Sequence, residues 1–276
     1  MKCNTLATFL VAATAAASAT TLFASAPITV DGSTTVGPLL KALAEDFQKT
    51  HDSAQITISE SGSGNGAKSL INNMCQIAML SRPLKTTEVK AAVEREIEPV
   101  AHVIAYDAVV LIAHPSNPVK SLTLDQARDL YNGKITNWKQ LGGADMRVAP
   151  ISRDTNSGTF ETFAEKVMRG ENVAASAETA GSNGAVRQRV QATPGAVGYV
   201  GIGYIDRSTK ALPIDSVAPT FETVANGRYP LSRPLFLYTN GYPALGSDLH
   251  RLATFHLTKR GQAIIEAVGF VPLTQY

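Results

Sequence analysis

Three times in this chain a short apolar run leads into a loop of glycines and small hydroxyl residues, and then into a segment of helical period. Ile28 to Val30 precedes Asp31-Gly32-Ser33-Thr34-Thr35-Val36-Gly37-Pro38, behind which Leu39, Leu40, Leu43 and Phe47 fall on one helical face. Ile56 to Ile58 precedes Ser59-Glu60-Ser61-Gly62-Ser63-Gly64-Asn65-Gly66 and a helix-like stretch through Lys68, Leu70 and Ile71. Val148 to Ile151 precedes Arg153-Asp154-Thr155-Asn156-Ser157-Gly158-Thr159, followed at helical spacing by Phe160, Phe163, Ala164, Val167 and Met168. Strand, polar loop and helix in alternation restrict the chain to the α/β class, in which loops after parallel strands gather at one edge and receive ligands.

The loop chemistry points to an anion. The first turn of a helix carries N–H groups without intrahelical partners, and its macrodipole adds positive potential. Ser157 and Thr159 add O–H donors, Gly158 lets an oxyanion approach the backbone, and Arg153 offers a forked, permanent cation. An ordinary N-cap with a surface arginine accounts for one such loop. Three loops of one chemistry favour an anion trap.

Enzyme signatures fail on spacing. Gly62 to Ser69 has Ala67 where a P-loop needs glycine before its lysine, and no glycine precedes Ser63 by two residues as a nucleophile elbow requires. His51, His102, His114, His250 and His256 form no metal-ligand pairing, and Asp154 beside Arg153 reads as a loop or ion-pair residue. No catalytic residue, cofactor or metal is expected. A net charge of +2 leaves no footprint for nucleic acid or an anionic membrane.

Lys2, an apolar stretch from Leu6 to Ala17 and the ending Ala24-Ser25-Ala26 read as a secretory signal peptide over residues 1–26, with Ala17-Ser18-Ala19 as a second cleavage site. Cys3 precedes the apolar stretch, so no lipobox is expected, and the mature protein is expected free in the periplasm without stable membrane insertion. Cys75, next to Met74, Ile77 and Ala78, is then the sole cysteine and reads as a buried, inert thiol.

Further strands are expected at Ile77 to Leu80, Pro99 to His102, Val109 to Ala113, Val197 to Val200 and Leu235 to Tyr238. Thr123-Leu124-Asp125-Gln126 is a capping box, closed by Gly133. Trp138 reads as packing. Extended segments at Tyr106 to His114 and Pro234 to Thr239 read as crossings between two lobes, the first made of residues 27–107 plus 240–276 and the second of 108–239.

These residues resemble the periplasmic phosphate-binding family, the substrate-binding component of the Pst-type ABC transporter, over nearly the whole mature chain. The likeness rests on the three loops, on Ile77-Ala78-Met79-Leu80-Ser81-Arg82-Pro83, Gly133-Lys134-Ile135-Thr136-Asn137-Trp138, Gly195-Ala196-Val197-Gly198-Tyr199-Val200 and Leu257-Thr258-Lys259-Arg260-Gly261-Gln262. It implies a type II periplasmic-binding-protein fold, each lobe a sheet flanked by helices, joined by two hinge strands. It also implies inorganic phosphate in the cleft and delivery to an ABC permease, without catalysis. The family's contacts fall on Thr34, Thr35, Ser63, Arg153, Ser157, Gly158 and Thr159, with Ser33 and Arg82 as further candidate anion contacts. Many members carry an acidic proton acceptor near the position of Arg82, and Asp31, Glu60 and Asp154 are candidate replacements. Rival readings are a binder of sulfate, molybdate or another oxyanion, an exported phosphatase, and an adhesion or sensing role on the same scaffold.

Overall fold

The computed structural model describes residues 26–274, and residues 1–25 of the expected leader lie outside them. Strand β1 (Ile28–Gly32) pairs in parallel with β2 (Ile56–Ser59) on one side and β3 (Ile77–Leu80) on the other. Parallel neighbours need crossovers, and helices α1 (Gly37–Gln48) and α2 (Ser63–Ile71) supply them. The apolar stripe of α1, with Leu39, Leu40, Leu43 and Phe47, is fully buried. Gly32 is required at its bend: it has φ +135°, and a Cβ there would sit 2.2 Å from the Met79 carbonyl oxygen.

Beyond β3 the sheet becomes antiparallel. After α3 (Thr86–Val93), strand β4 (Pro99–Ala113) runs as one element where the sequence suggests two strands. A register shift between Val103 and Ala105 interrupts its alternation, so the apolar pattern breaks although the pairing continues. From Pro99 to Ala108, β4 pairs with the chain's last strand, β9 (Ser232–Asn240), which pairs with β3 on its far side. From Val109 to Ala113, β4 pairs instead with β7 (Ala196–Gly201) and β8 (Lys210–Leu212). Beyond β7 lie β5 (Ala149–Arg153) and then β6 (Glu178–Ala180), both parallel to their neighbours. The order is β2-β1-β3-β9-β4-β7-β5-β6, with β8 on β4, so β4 is shared by two half-sheets and β9 pairs wholly in the first. Strands β6 and β8, three residues each, are too short to display a period and escape the sequence reading.

The remaining helices cover the faces: α4 (Leu124–Tyr131), α5 (Gly158–Phe163), α6 (Asn183–Ala192), α7 (Phe221–Ala225), α8 (Asp248–Thr254) and α9 (Lys259–Ala267). Thr123 and Gln126 form the expected capping box of α4, and Gly133 follows at φ +84°. Helix α5 continues into a π-turn, Ala164–Met168, and Phe163 stacks on Tyr199 of β7 at a centroid distance of 4.1 Å. Trp138 is buried, and its indole N–H donates to the Gly195 carbonyl at 2.9 Å, in keeping with a packing role. Cys75 is buried, and burial pushes its thiol up to about 12, so it is inert at neutral pH.

His256 is 3 % exposed, and burial lowers its pKa from 6.5 to about 4. The folded protein therefore keeps it neutral where the unfolded chain takes up a proton. Between those two values the unfolded state binds more protons, so stability falls as pH falls. Urea midpoints measured from pH 6.5 down to about 4 are expected to decline, and His256→Gln is expected to flatten part of that decline.

Candidate functional site

At the carboxyl ends of β1, β2, β3 and β5, the chain encloses one hollow of about 120 Å³. It is bounded by Ser33, Thr34 and Thr35 after β1, Gly62 and Ser63 at the start of α2, Ser81 after β3, and Arg153, Ser157, Gly158 and Thr159 around the start of α5. Its lining of hydroxyls, helix-start backbone and one guanidinium suits a small polyatomic anion. Thr34, Thr35, Ser63, Arg153, Ser157, Gly158 and Thr159, read from sequence as one set, all line it, as does Ser33. Gly158 is needed for the close approach of the loops: a Cβ on it would lie 2.5 Å from the Ser63 hydroxyl and 2.7 Å from that of Ser81.

Arg82 departs from the expectation. Its guanidinium gives two bonds to the Glu88 carboxylate at 2.7 and 2.8 Å, one to the Pro83 carbonyl at 2.9 Å, and pairs with Glu161 at 2.7 Å. Burial works against its charge, but the two carboxylates outweigh that and raise its pKa. With its donors committed to carboxylates, Arg82 lies outside the hollow and fastens the loop after β3 to α5. Of the candidate acceptors, Asp31 takes the Ser61 and Ser69 hydroxyls at 2.6 Å each and Glu60 pairs with Lys41. Asp154 accepts the Asn156 N–H at 3.0 Å and lies 3.6 Å from Arg153 Nη2, outside the lining of the hollow.

The walls are polarised by groups behind them. Arg153 Nε donates to the Ala180 carbonyl at 2.9 Å and Nη2 to the Gly181 carbonyl at 3.1 Å, while buried Nη1 has no hydrogen-bond partner. Burial lowers the pKa of Arg153, Asp154 partly opposing it, which marks a charge that the fold strips of water without fully compensating. Asn183, at the first position of α6, gives its amide N–H₂ to Thr34 at 3.2 Å and Thr35 at 3.0 Å. Its carbonyl oxygen is held by the Gly201 N–H at 3.1 Å, which fixes the orientation of the amide. Arg233 donates to Thr159 at 3.0 Å and pairs with fully buried Asp107 at 2.7 Å.

Sequence reading misses Ser81, Asn183, Asp107 and Arg233. Asn183 left a signal, since Gly181-Ser182-Asn183-Gly184 repeats the loop chemistry, but the strand before it is too short to recognise. Asp107 and Arg233 sit inside strands and left none. The two half-sheets touch across the hollow: the Gly64 N–H donates to the Asn156 carbonyl at 2.9 Å, and the Thr35 and Thr159 hydroxyls meet at 3.0 Å.

A two-part sheet with a donor-lined, cation-bearing hollow between its halves is the arrangement of a solute-binding protein. The family model of the PBP superfamily domain matches residues 11–254. The protein SphX of Synechococcus elongatus is 32 % identical over 261 residues, covering 89 % of this chain and 77 % of its own length. The phosphate-binding protein PstS of Bacillus subtilis is 31 % identical over 255 residues, covering 91 % and 82 %. Among solved structures, a putative phosphate ABC transporter substrate-binding protein from Clostridium perfringens, crystallised with phosphate, is 35 % identical at a TM-score of 0.84, covering 90 % of this chain and 100 % of that one. An ABC-type phosphate transport receptor from Vibrio cholerae is 29 % identical at a TM-score of 0.73, covering 88 % and 99 %. The chain belongs to the PBP superfamily, among its PstS-like members.

The Asp107–Arg233 pair gives a direct test of how the site is held. Asp107→Asn leaves a buried guanidinium without its counter-charge, and a loss of about 3–5 kcal/mol in unfolding free energy is expected by urea titration.

Proposed function

We propose that this protein captures inorganic phosphate between two lobes and hands it to the membrane permease of an ABC transporter, making and breaking no covalent bond. The observation that carries the reading is Arg153. A buried guanidinium nitrogen without a partner borders a hollow of about 120 Å³ whose other walls are hydroxyls and backbone. Such an arrangement favours a small multivalent oxyanion, because each oxygen finds a donor and the cation gains the counter-charge that burial denies it. Hydrogen bonds to charged groups contribute about 1.5–3 kcal/mol each, so a handful offset dehydration and lobe closure and leave micromolar or tighter binding, about −8 kcal/mol. The PstS relatives and the phosphate-containing structure of similar fold support phosphate as the guest.

The reading takes lobe one as residues 27–107 with 240–276 and lobe two as 108–239; β9, at the end of the second segment, pairs with β3 and with the first part of β4. Opening would part Thr35 from Thr159 and Gly64 from Asn156, so the closed form presents a surface spanning both lobes that a permease can distinguish from the open one. Among the described residues no helix is long and apolar enough to cross a membrane. Export through a cleaved leader and a periplasmic location complete the reading. The absence of a carboxylate from the hollow's lining keeps sulfate as the second reading.

Titration calorimetry on ligand-stripped protein tests this. Arg153→Ala is expected to weaken phosphate binding by about 2–5 kcal/mol, and an unchanged affinity would remove Arg153 from the site. Ser157→Ala combined with Thr159→Val is expected to lose affinity while the protein stays folded. An equally tight double variant would leave these hydroxyls as helix caps and packing groups.

A further inference from the structure

Lobe closure has to be reversible, so the contacts that form only when the hollow is shut decide how long a guest stays. With the lobes taken as above, the ion pairs that join them among the described residues use two carboxylates, Asp107 and Glu161. Asp107 and Arg233 are register partners on β4 and β9, the strands at the crossing, and a pair on a hinge turns without parting. Glu161 is placed differently. It stands in the first turn of α5, and both of its cations come from the other lobe: Arg82 Nε at 2.7 Å and Lys85 Nζ at 2.9 Å, converging on one carboxylate oxygen.

The two sides of this contact are unequal. Arg82 keeps its two bonds to Glu88 and one to the Pro83 carbonyl inside its own lobe, so its charge stays compensated whether or not Glu161 is near. The Glu161 carboxylate has its ion pairs only across the division, and parting the lobes returns it to water. A cavity of about 500 Å³ flanks the pairs, lined by Arg82, Lys85, Glu161, Lys166 and Arg233 among others, and the Lys85 side chain is 52 % exposed, so salt reaches the contact even when it is made. Helix α5 is also the element whose start presents Ser157, Gly158 and Thr159 to the hollow. A bare carboxylate on that turn repels an approaching anion, and two cations brought to it by closure cancel the repulsion.

We propose that Glu161 is the positioning residue of closure, a catch on α5 that Arg82 and Lys85 engage only in the shut form, so that it sets the residence time of the anion and not its identity. The inference rests on the two-lobed phosphate reading of the hollow. Glu161 does not border the hollow, so its removal leaves every donor to the guest in place. Its removal takes away free energy that the closed form has and the open form lacks, which shifts the balance toward opening. Release of the guest requires opening, whereas capture begins from the open form. The change therefore falls on the dissociation rate.

The test is the release of radiolabelled phosphate from wild type and Glu161→Gln into excess unlabelled phosphate, with association rates measured alongside and urea midpoints checking the fold. Glu161→Gln is expected to speed dissociation by about tenfold, the scale of one charge-assisted hydrogen bond, with association within about threefold of wild type and the phosphate-to-sulfate affinity ratio unchanged. Wild-type dissociation is expected to quicken as added potassium chloride shortens the Debye length from about 10 Å to about 3 Å, and the variant's to respond less. If Glu161→Gln does not fold, Lys85→Met removes the more exposed cation alone, and a smaller acceleration of about threefold is expected. Where both variants fold, the double variant is expected to release phosphate no faster than Glu161→Gln, because the lysine then has no partner to lose. Dissociation unchanged in a folded variant overturns the role and leaves the pairs as rim contacts, with phosphate capture still standing. A changed phosphate-to-sulfate ratio overturns it too, since Glu161 would then act on the hollow itself. Wild type that binds no phosphate removes the parent reading and this role together.

Discussion

The buried pair between Asp107 and Arg233 is the contact on which the site's architecture turns. Asp107 lies on β4 where that strand passes from one half-sheet to the other, and Arg233 stands near the start of the returning strand, β9. Burying two charges is expensive unless each is fully hydrogen-bonded. Here the carboxylate also accepts the Ile202 N–H at 2.8 Å, and the guanidinium also reaches the Gly158 carbonyl at 3.2 Å and Thr159 at 3.0 Å. The pair thus fixes β4 and β9 to the first turn of α5, which borders the hollow. It also sorts the charges, because without Asp107 the positive Arg233 would add to that of Arg153, whose pKa it already helps to lower. With Arg233 neutralised, one cation remains for a guest.

A second layer holds the halves together without entering the hollow. Arg82 and Lys85, beyond β3, both reach Glu161 on α5, at 2.7 and 2.9 Å, while Arg82 is gripped by Glu88 from behind. An arginine placed so near the hollow would look like an anion contact if its partners were unknown. Its carboxylates make it a fastening between half-sheets instead. Division of labour among three arginines follows: Arg153 faces the cavity, Arg233 polarises a wall hydroxyl, and Arg82 ties the rim.

The loops were legible because their function needs backbone. Glycine and small hydroxyls at helix starts serve an anion through local geometry, and local geometry leaves local sequence signals, so Thr34, Ser63 and Ser157 could be grouped before any fold was known. The strand boundaries at Ile56–Ser59 and Ile77–Leu80 match their apolar runs for the same reason. Asn183 was half legible, its loop recognisable but its strand too short. Asp107 and Arg233 were illegible, since a charged residue within an apolar strand carries no mark of a partner 126 positions away.

What the sequence determined by itself was the α/β alternation, the donor character of the loops and the arginine that borders the hollow, because each depends on neighbours within a few residues. What the tertiary structure decided was the shape of the hollow, the diversion of Arg82 to two carboxylates and the partners that stand behind each wall hydroxyl. Those depend on lone pairs filled by groups far along the chain, and only folding brings donor and acceptor to hydrogen-bonding distance.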